Sequence, residues 1–156
     1  EEDVLRTVHG QIGQLLLQKL PAAMIGQRIF DIVNQLNAGP DLAGDAGGRN
    51  ELAGLNLRAG KKAKASGAYS SGYELLKEGI RLMGDGGWTD DHYLTRELHV
   101  EAAEAAYLCT KFDEMEELAN RVVDRAESLF EKVGAYEVLI GGRIAQARNW
   151  TRFASG

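Results

Sequence analysis

The feature that most constrains this chain is an internal echo. With Tyr69 set against Phe112, Ala59-Gly60 falls on Ala102-Ala103, Ala63 on Ala106, Gly72 on Met115, Leu76 on Ala119 and Gly79 on Val122. Small residues at helical spacing let a second helix approach the first closely, and an aromatic side chain at the corner fills the gap between them. A helix pair of this kind cannot bury its apolar face alone and stacks on a neighbouring pair. The chain is therefore expected to be all-α, built from antiparallel helix-turn-helix repeats, and no stretch reads as strand.

Apolar periodicity divides the chain into about seven helices. Val4, Val8, Ile12, Leu15 and Leu16 recur at steps of three and four, ending near Leu20. Pro21 suits the first turn of a second helix, in which Ile25, Ile29, Ile32, Val33 and Leu36 run to the stop at Asn37-Ala38-Gly39-Pro40. Residues 41–48 lack periodicity and read as a flexible connection, with the third helix starting near Asn50. Leu52, Leu55, Ala59 and Ala63 mark that helix. Tyr69, Tyr73, Leu76, Ile80 and Met83 mark the fourth, after a break at Ser66-Gly67.

Beyond the loop Gly84-Asp85-Gly86-Gly87, Thr89 reads as the N-cap of a fifth helix that reaches about Cys109. Glu114, Glu116 and Glu117 crowd the first turn of a sixth, where the helix dipole favours carboxylates, and it continues to about Phe130. Val133, Tyr136, Ile140, Ile144 and Ala147 form the stripe of the last, ending around Trp150. One domain over 1–156 is expected, organised as helix pairs 1–38, 50–83 and 89–131 and a final helix 133–152.

Composition narrows the function classes. The chain of 156 residues carries a net charge of −5, divided unevenly: residues 1 to 83 hold 10 basic and 9 acidic groups, residues 84 to 156 hold 8 and 14. An acidic second half repels phosphate backbones, so nucleic acid is not an expected partner. The single Cys109 has no second thiol for a disulfide or a zinc knuckle, which suits a reducing cytoplasm. Apolar runs fall short of the roughly 20 residues that a bilayer crossing needs, so no membrane partner is expected. A start at Glu1-Glu2-Asp3 instead of Met reads as a piece of a longer polypeptide.

Residues 52–83 and 95–131 resemble tetratricopeptide repeats, departing from that pattern in lacking the early Trp and the closing Pro and in carrying extra residues around Trp88. A second resemblance rests on three strings. They are Ile29-Phe30-Asp31-Ile32-Val33-Asn34-Gln35-Leu36-Asn37, then Glu51-Leu52-Ala53 with Leu57-Arg58-Ala59-Gly60-Lys61-Lys62-Ala63, and Glu104-Ala105-Ala106-Tyr107-Leu108. They look like the helical region that follows the STAND/AAA-type ATPase module of bacterial multidomain serine/threonine-kinase and sensor-histidine-kinase signalling proteins. This resemblance implies a superhelical sensor or relay arm without the ATPase motifs.

Candidate chemistry is sparse. Gly54 to Lys62 fails as a phosphate loop, because five residues separate Gly54 from Gly60 and Lys62 stands where Ser or Thr is needed. His92 and His99 share a helix face, but Thr95 and Arg96 between them are not metal ligands, and no metal or cofactor is expected. Cys109, without a His nearby in sequence, reads as a small buried hydrophobe. No catalytic residue is assigned.

The tetratricopeptide resemblance implies that the first helix of each pair lines a concave groove. That places Arg58, Lys61 and Lys64 from one repeat beside Glu101, Glu104 and Tyr107 from the next. Either these residues grip a charged peptide or partner helix, or the opposite charges pair with one another across the repeats. The last helix offers Ile140, Ile144, Trp150 and Phe153 with nothing behind them, so this edge is expected to self-associate, giving a homodimer or a swapped pair. The expected role is a non-enzymatic interaction or regulatory module. Its partner would be a protein, a peptide or another domain of the same polypeptide. The alternative is a sensor that takes a small-molecule inducer between helix pairs.

Overall fold

The computed structural model describes residues 1–39 and 46–154, with side chains described for 1–39 and 47–149. The described residues form nine helical segments and no strand. They are α1 (Glu2–Lys19), α2 (Ala22–Ile25), α3 (Ile29–Ala38), α4 (Ala46–Ala65), α5 (Tyr69–Met83), α6 (Gly87–Asp90), α7 (His92–Leu108), α8 (Phe112–Arg125) and α9 (Leu129–Ala154). The count exceeds seven because α2 and α6 are single turns, too short to show a period. The connection expected at 41–48 is partly helical, since α4 begins at Ala46; Pro40 and the rest of that connection lie outside the described residues.

Packing runs along the chain. α1 lies on α3, α3 on α4, α4 on α5, α5 on α7, α7 on α8 and α8 on α9, while α4 also meets α7, and α7 meets α9, directly. Three apolar clusters follow this order. Ile29, Ile32, Val33 and Leu36 pack with Leu55 and Ala59. Tyr73, Leu76 and Leu98 pack with Ala102, Ala106 and Met115. Trp88 packs with Ala103, Ala119, Val122 and Ala135.

Glycine sets how closely the helices meet. A Cβ at Gly60 would stand 2.5 Å from Leu76 Cγ, one at Gly72 3.0 Å from the Gly60 carbonyl oxygen, and one at Gly79 2.5 Å from Leu98 Cδ2. Adding a methyl group at any of the three forces the neighbour away.

The corner between paired helices recurs. From α4 to α5, Gly67 N–H donates to the Lys64 carbonyl at 3.1 Å and Ala68 N–H to that of Ala63 at 2.9 Å. From α7 to α8, Thr110 N–H donates to the Tyr107 carbonyl and Lys111 N–H to that of Ala106, both at 2.9 Å. Ala68 sits at φ −84°, ψ 61° and Lys111 at φ −89°, ψ 71°. Gly67 and Thr110 both have positive φ, at 84° and 58°. These hydrogen bonds close the orphan carbonyls of each first helix and turn the chain back on itself.

Several expectations need correction. The stripe Val4, Val8, Ile12 and Leu15 is not the buried face of α1: those side chains are exposed, whereas Gly10 and Gly13 are buried against α3. A Cβ at Gly13 would meet Leu36 Cδ2 at 2.6 Å, and one at Gly39 would meet Gly10 Cα at 2.9 Å. The tight approach needs the glycine face inward, which turns the branched side chains outward. The corner aromatic Tyr69 is also exposed. Asp91, not Thr89, caps α7, its carboxylate accepting the Leu94 N–H at 3.0 Å. Cys109 is only half-buried.

Candidate functional site

α4 and α7 lie side by side, and the residues expected in the groove meet along their seam. Lys64 Nζ donates to Glu101 Oε2 at 2.5 Å and also to Glu104, and Lys61 Nζ lies 3.4 Å from Glu101 Oε1. Lys64 and Glu101 are largely covered, at 14% and 15% side-chain exposure. Burial opposes the Lys64 ammonium, but the hydrogen bonds and charges of Glu101 and Glu104 more than offset it, so its pKa lies above the usual 10.5. The cations are therefore occupied unequally. Lys64 is a positioned structural charge, Lys61 is half-exposed, and Arg58 is exposed and makes no ion pair among the described residues. Pairing across the two helices runs from Lys61 to Glu101 and from Lys64 to Glu101 and Glu104, so the register lies one turn beyond the expected Arg58–Glu101 and Lys61–Glu104 matches.

Tyr107 occupies the place of Lys64 in the second unit and is half-buried, its ring edge-on to Phe112 at 6.4 Å between centroids. Its Cζ lies 3.9 Å from where a Cβ on Gly141 of α9 would stand. The face from Arg58 to Tyr107 is thus continuous across α4, α7 and α9. It is basic and exposed at one end, ion-paired in the middle and aromatic at the other.

Ile140 and Ile144 on α9 are 60% and 50% exposed, joined by Phe130 at 89% and Val133 and Tyr136 at 46% and 40%. The side chains of Trp150 and Phe153 lie outside the described residues.

Two features are not evident from sequence periodicity. The first is a cavity of about 620 Å³ between α3 and the α4–α5 corner. Its walls include Phe30, Asn34, Asn37, Ser70, Ser71 and Glu74. Asn37 is held there by Asn56, their amides donating to each other at 2.8 and 2.9 Å. Asn56 is fully buried and gives its remaining N–H to the Leu52 carbonyl at 3.0 Å.

The second is a buried polar cluster beside Trp88. His99, 2% exposed, donates from Nδ1 to the Thr95 carbonyl at 2.7 Å and lies 5.0 Å from the Trp88 ring. His99 Nε2 and Thr95 Oγ1 are buried and have no hydrogen-bond partner among the described residues. Burial pushes the His99 pKa below 6.5, helped by the Arg121 charge and resisted by the bond to Thr95. Nearby, Glu131 accepts from the Glu127 N–H at 2.8 Å and from His92 Nε2 at 3.1 Å, which holds its carboxyl below 4.5. His92 is thus half-buried and paired. No group of three or more His, Cys, Asp or Glu among the described residues converges as metal ligands would.

The comparisons with known proteins give a narrow result. No family model matches the chain, and no solved structure matches it. The chain is 26% identical over 108 residues, 64% of its length, to the hybrid signal transduction histidine kinase G of Dictyostelium discoideum. It spans only 3% of that protein. No helix among the described residues is long and apolar enough to cross a membrane.

Proposed function

We propose that this chain is a non-enzymatic, tetratricopeptide-like interaction module that serves as a regulatory arm of a larger signal-transduction protein. The observation that carries the reading is the recurring corner, in which Gly67 and Thr110 close equivalent turns and leave α4, α7 and α9 in direct contact along one face. Stacked helix pairs of this kind present a long surface assembled from alternate helices, and such surfaces recognise partners by shape and charge. The kinase similarity supports the signalling context. The finer assignment, an arm following a STAND-type ATPase module in a cytoplasmic bacterial protein, rests on the sequence strings alone.

The partner is a protein or peptide, or another domain of the same polypeptide. Lys64 is engaged by Glu101 and Glu104 and Lys61 also reaches Glu101, so the cation best placed for a partner's carboxylates is the exposed Arg58, with the half-exposed Lys61 beside it. Fluorescence anisotropy with labelled amphipathic peptides bearing Asp and Glu tests this. The R58E protein is expected to bind at least about tenfold more weakly, a loss of roughly 1.4 kcal/mol, with its melting temperature unchanged. Equal binding by that variant, or no binding by any peptide, contradicts the reading.

The cavity beside Asn37 favours a second reading, a sensor for a small polar molecule. Its lining offers an aromatic wall, amides, hydroxyls and a carboxylate. A thermal-shift screen of metabolites separates the two readings, since only the sensor predicts a stabilising small molecule.

A further inference from the structure

Asn56 is fully buried within α4, a position where an apolar side chain of similar size leaves no polar group to satisfy. Both of its N–H groups are in use. One donates to Asn37 Oδ1 at 2.9 Å and the other to the Leu52 carbonyl at 3.0 Å, while its oxygen accepts from Asn37 Nδ2 at 2.8 Å. This reciprocal pair fixes the plane of the Asn37 amide and leaves it one N–H and one oxygen lone pair. Asn37 lines the cavity of about 620 Å³ and makes no further hydrogen bond among the described residues. A donor and an acceptor, adjacent on one immobilised group, are therefore available at its wall.

The charges around the cavity narrow what can enter. Among the described residues its walls carry no Lys, Arg or His, and Glu74 is their one carboxylate. The cations nearby are committed elsewhere. Lys62 Nζ donates to the Gly26 carbonyl at 2.7 Å, Lys64 is held by Glu101 and Glu104, and Lys77 lies 3.3 Å from Glu74 Oε1 and 4.8 Å from the Tyr73 ring centre. An anion would meet Glu74 with no cation in the wall to offset it. An ammonium group would find only a carboxylate that already has a partner.

The remaining walls favour hydroxyl groups. Asn34, one turn before Asn37 on α3, and Ser70 and Ser71 on α5 make no side-chain hydrogen bond among the described residues. A wholly apolar ligand would leave these groups without partners, which is costly. A sugar does the opposite: each hydroxyl both donates and accepts, so two neighbouring ring hydroxyls match an amide that offers one of each. The C–H face of the same ring packs on an aromatic side chain, and Phe30 supplies one. The volume falls within the roughly 300 to 1,000 Å³ of small-ligand sites.

We propose that this cavity binds a neutral sugar, with Asn37 engaging two adjacent ring hydroxyls and Phe30 packing on the ring. Asn56 is a positioning residue that acts through Asn37. Cleaving a glycosidic bond takes a pair of carboxyl groups, and the described walls hold Glu74 alone, so the site binds without cutting. The inference rests on the sensor reading of this cavity and goes beyond it by naming the ligand class.

Isothermal titration calorimetry of the full chain tests it, using neutral hexoses and pentoses, their phosphate esters, and adenosine as a source of ribose hydroxyls. At least one neutral sugar is expected to bind with a Kd below about 1 mM, and its phosphate ester at least about tenfold more weakly. N37A is expected to weaken the sugar at least about tenfold, and N56A by a similar factor although Asn56 does not line the cavity. Should N56A lose its helical circular dichroism, N34A, at an exposed position in the wall, takes its place and is expected to weaken binding about threefold. Binding of adenosine alone, a phosphate ester that binds as tightly as its parent sugar, or full affinity in N37A overturns the proposal. Silence of every sugar, with another metabolite raising the melting temperature, overturns it and leaves the sensor reading standing; silence of both overturns both.

Discussion

Thr110 takes at φ 58° the place that Gly67 takes at φ 84° in the preceding helix corner, with the same pair of backbone hydrogen bonds closing each turn. A β-branched residue is strained in this left-handed region, whereas glycine is not. T110G is therefore expected to stabilise the protein by about 1 kcal/mol, and G67T to destabilise it by a similar or larger amount. Urea denaturation midpoints check both. A destabilised T110G protein would show that the Thr110 side chain is needed at that corner.

Gly72 and Gly54 make a second contrast. Both lie within helices, but a Cβ at Gly72 meets the backbone of Gly60 and Lys64 at 3.0 and 3.3 Å, while one at Gly54 meets nothing within 4 Å. G72A is expected to cost about 2 kcal/mol, because backbone cannot rotate away. G54A is expected to stabilise by about 0.5 to 1 kcal/mol, the usual difference between glycine and alanine in a helix interior. Chemical denaturation of the two variants side by side reads the difference.

His99 predicts a pH dependence. Its folded pKa lies below the ordinary 6.5, so between the two values the unfolded chain binds a proton that the folded one refuses. Stability is full above about pH 6.5 and falls as pH drops toward the folded value, with a slope of at most about 1.4 kcal/mol per pH unit from this residue. H99Q is expected to flatten that part of the curve, measured by urea denaturation at a series of pH values. An unchanged slope would place the proton uptake elsewhere.

Lys64 has the opposite sign. Its folded pKa is raised, so the stability from its pairing with Glu101 and Glu104 is present below 10.5 and lost as pH rises through the folded value. K64M is expected to cost about 1 kcal/mol near neutral pH, since it leaves the largely covered Glu101 without its closest cation. Calorimetric melting of the two proteins checks this. The same substitution leaves Arg58 in place, so acidic peptides are expected to bind K64M much as they bind the unsubstituted chain.

The all-helical class was legible because long helices impose a period that composition cannot hide. Ile29, Ile32, Val33 and Leu36 form a buried stripe where that period places one. What periodicity does not give is the side on which a helix is buried. In α1 and α9 a glycine-rich face competes with a branched one, and close backbone approach selects the glycines. Single turns such as α2 and α6 carry no period at all. Opposite charges on equivalent positions were readable in the sequence, but the offset between two stacked helices was not, and that offset decides that Lys64 takes up Glu101 and Glu104. The cavity beside Asn37 draws its walls from α3, α4 and α5 together, so no local pattern announces it.

Chemical-shift mapping of the ¹⁵N-labelled chain with the tightest-binding acidic peptide tests the central claim most directly. The account predicts shifts along the face of α4 and α7, at Arg58, Lys61, Glu104 and Tyr107. Shifts confined to Phe30, Asn34, Ser70 and Ser71, or absent everywhere, would contradict it.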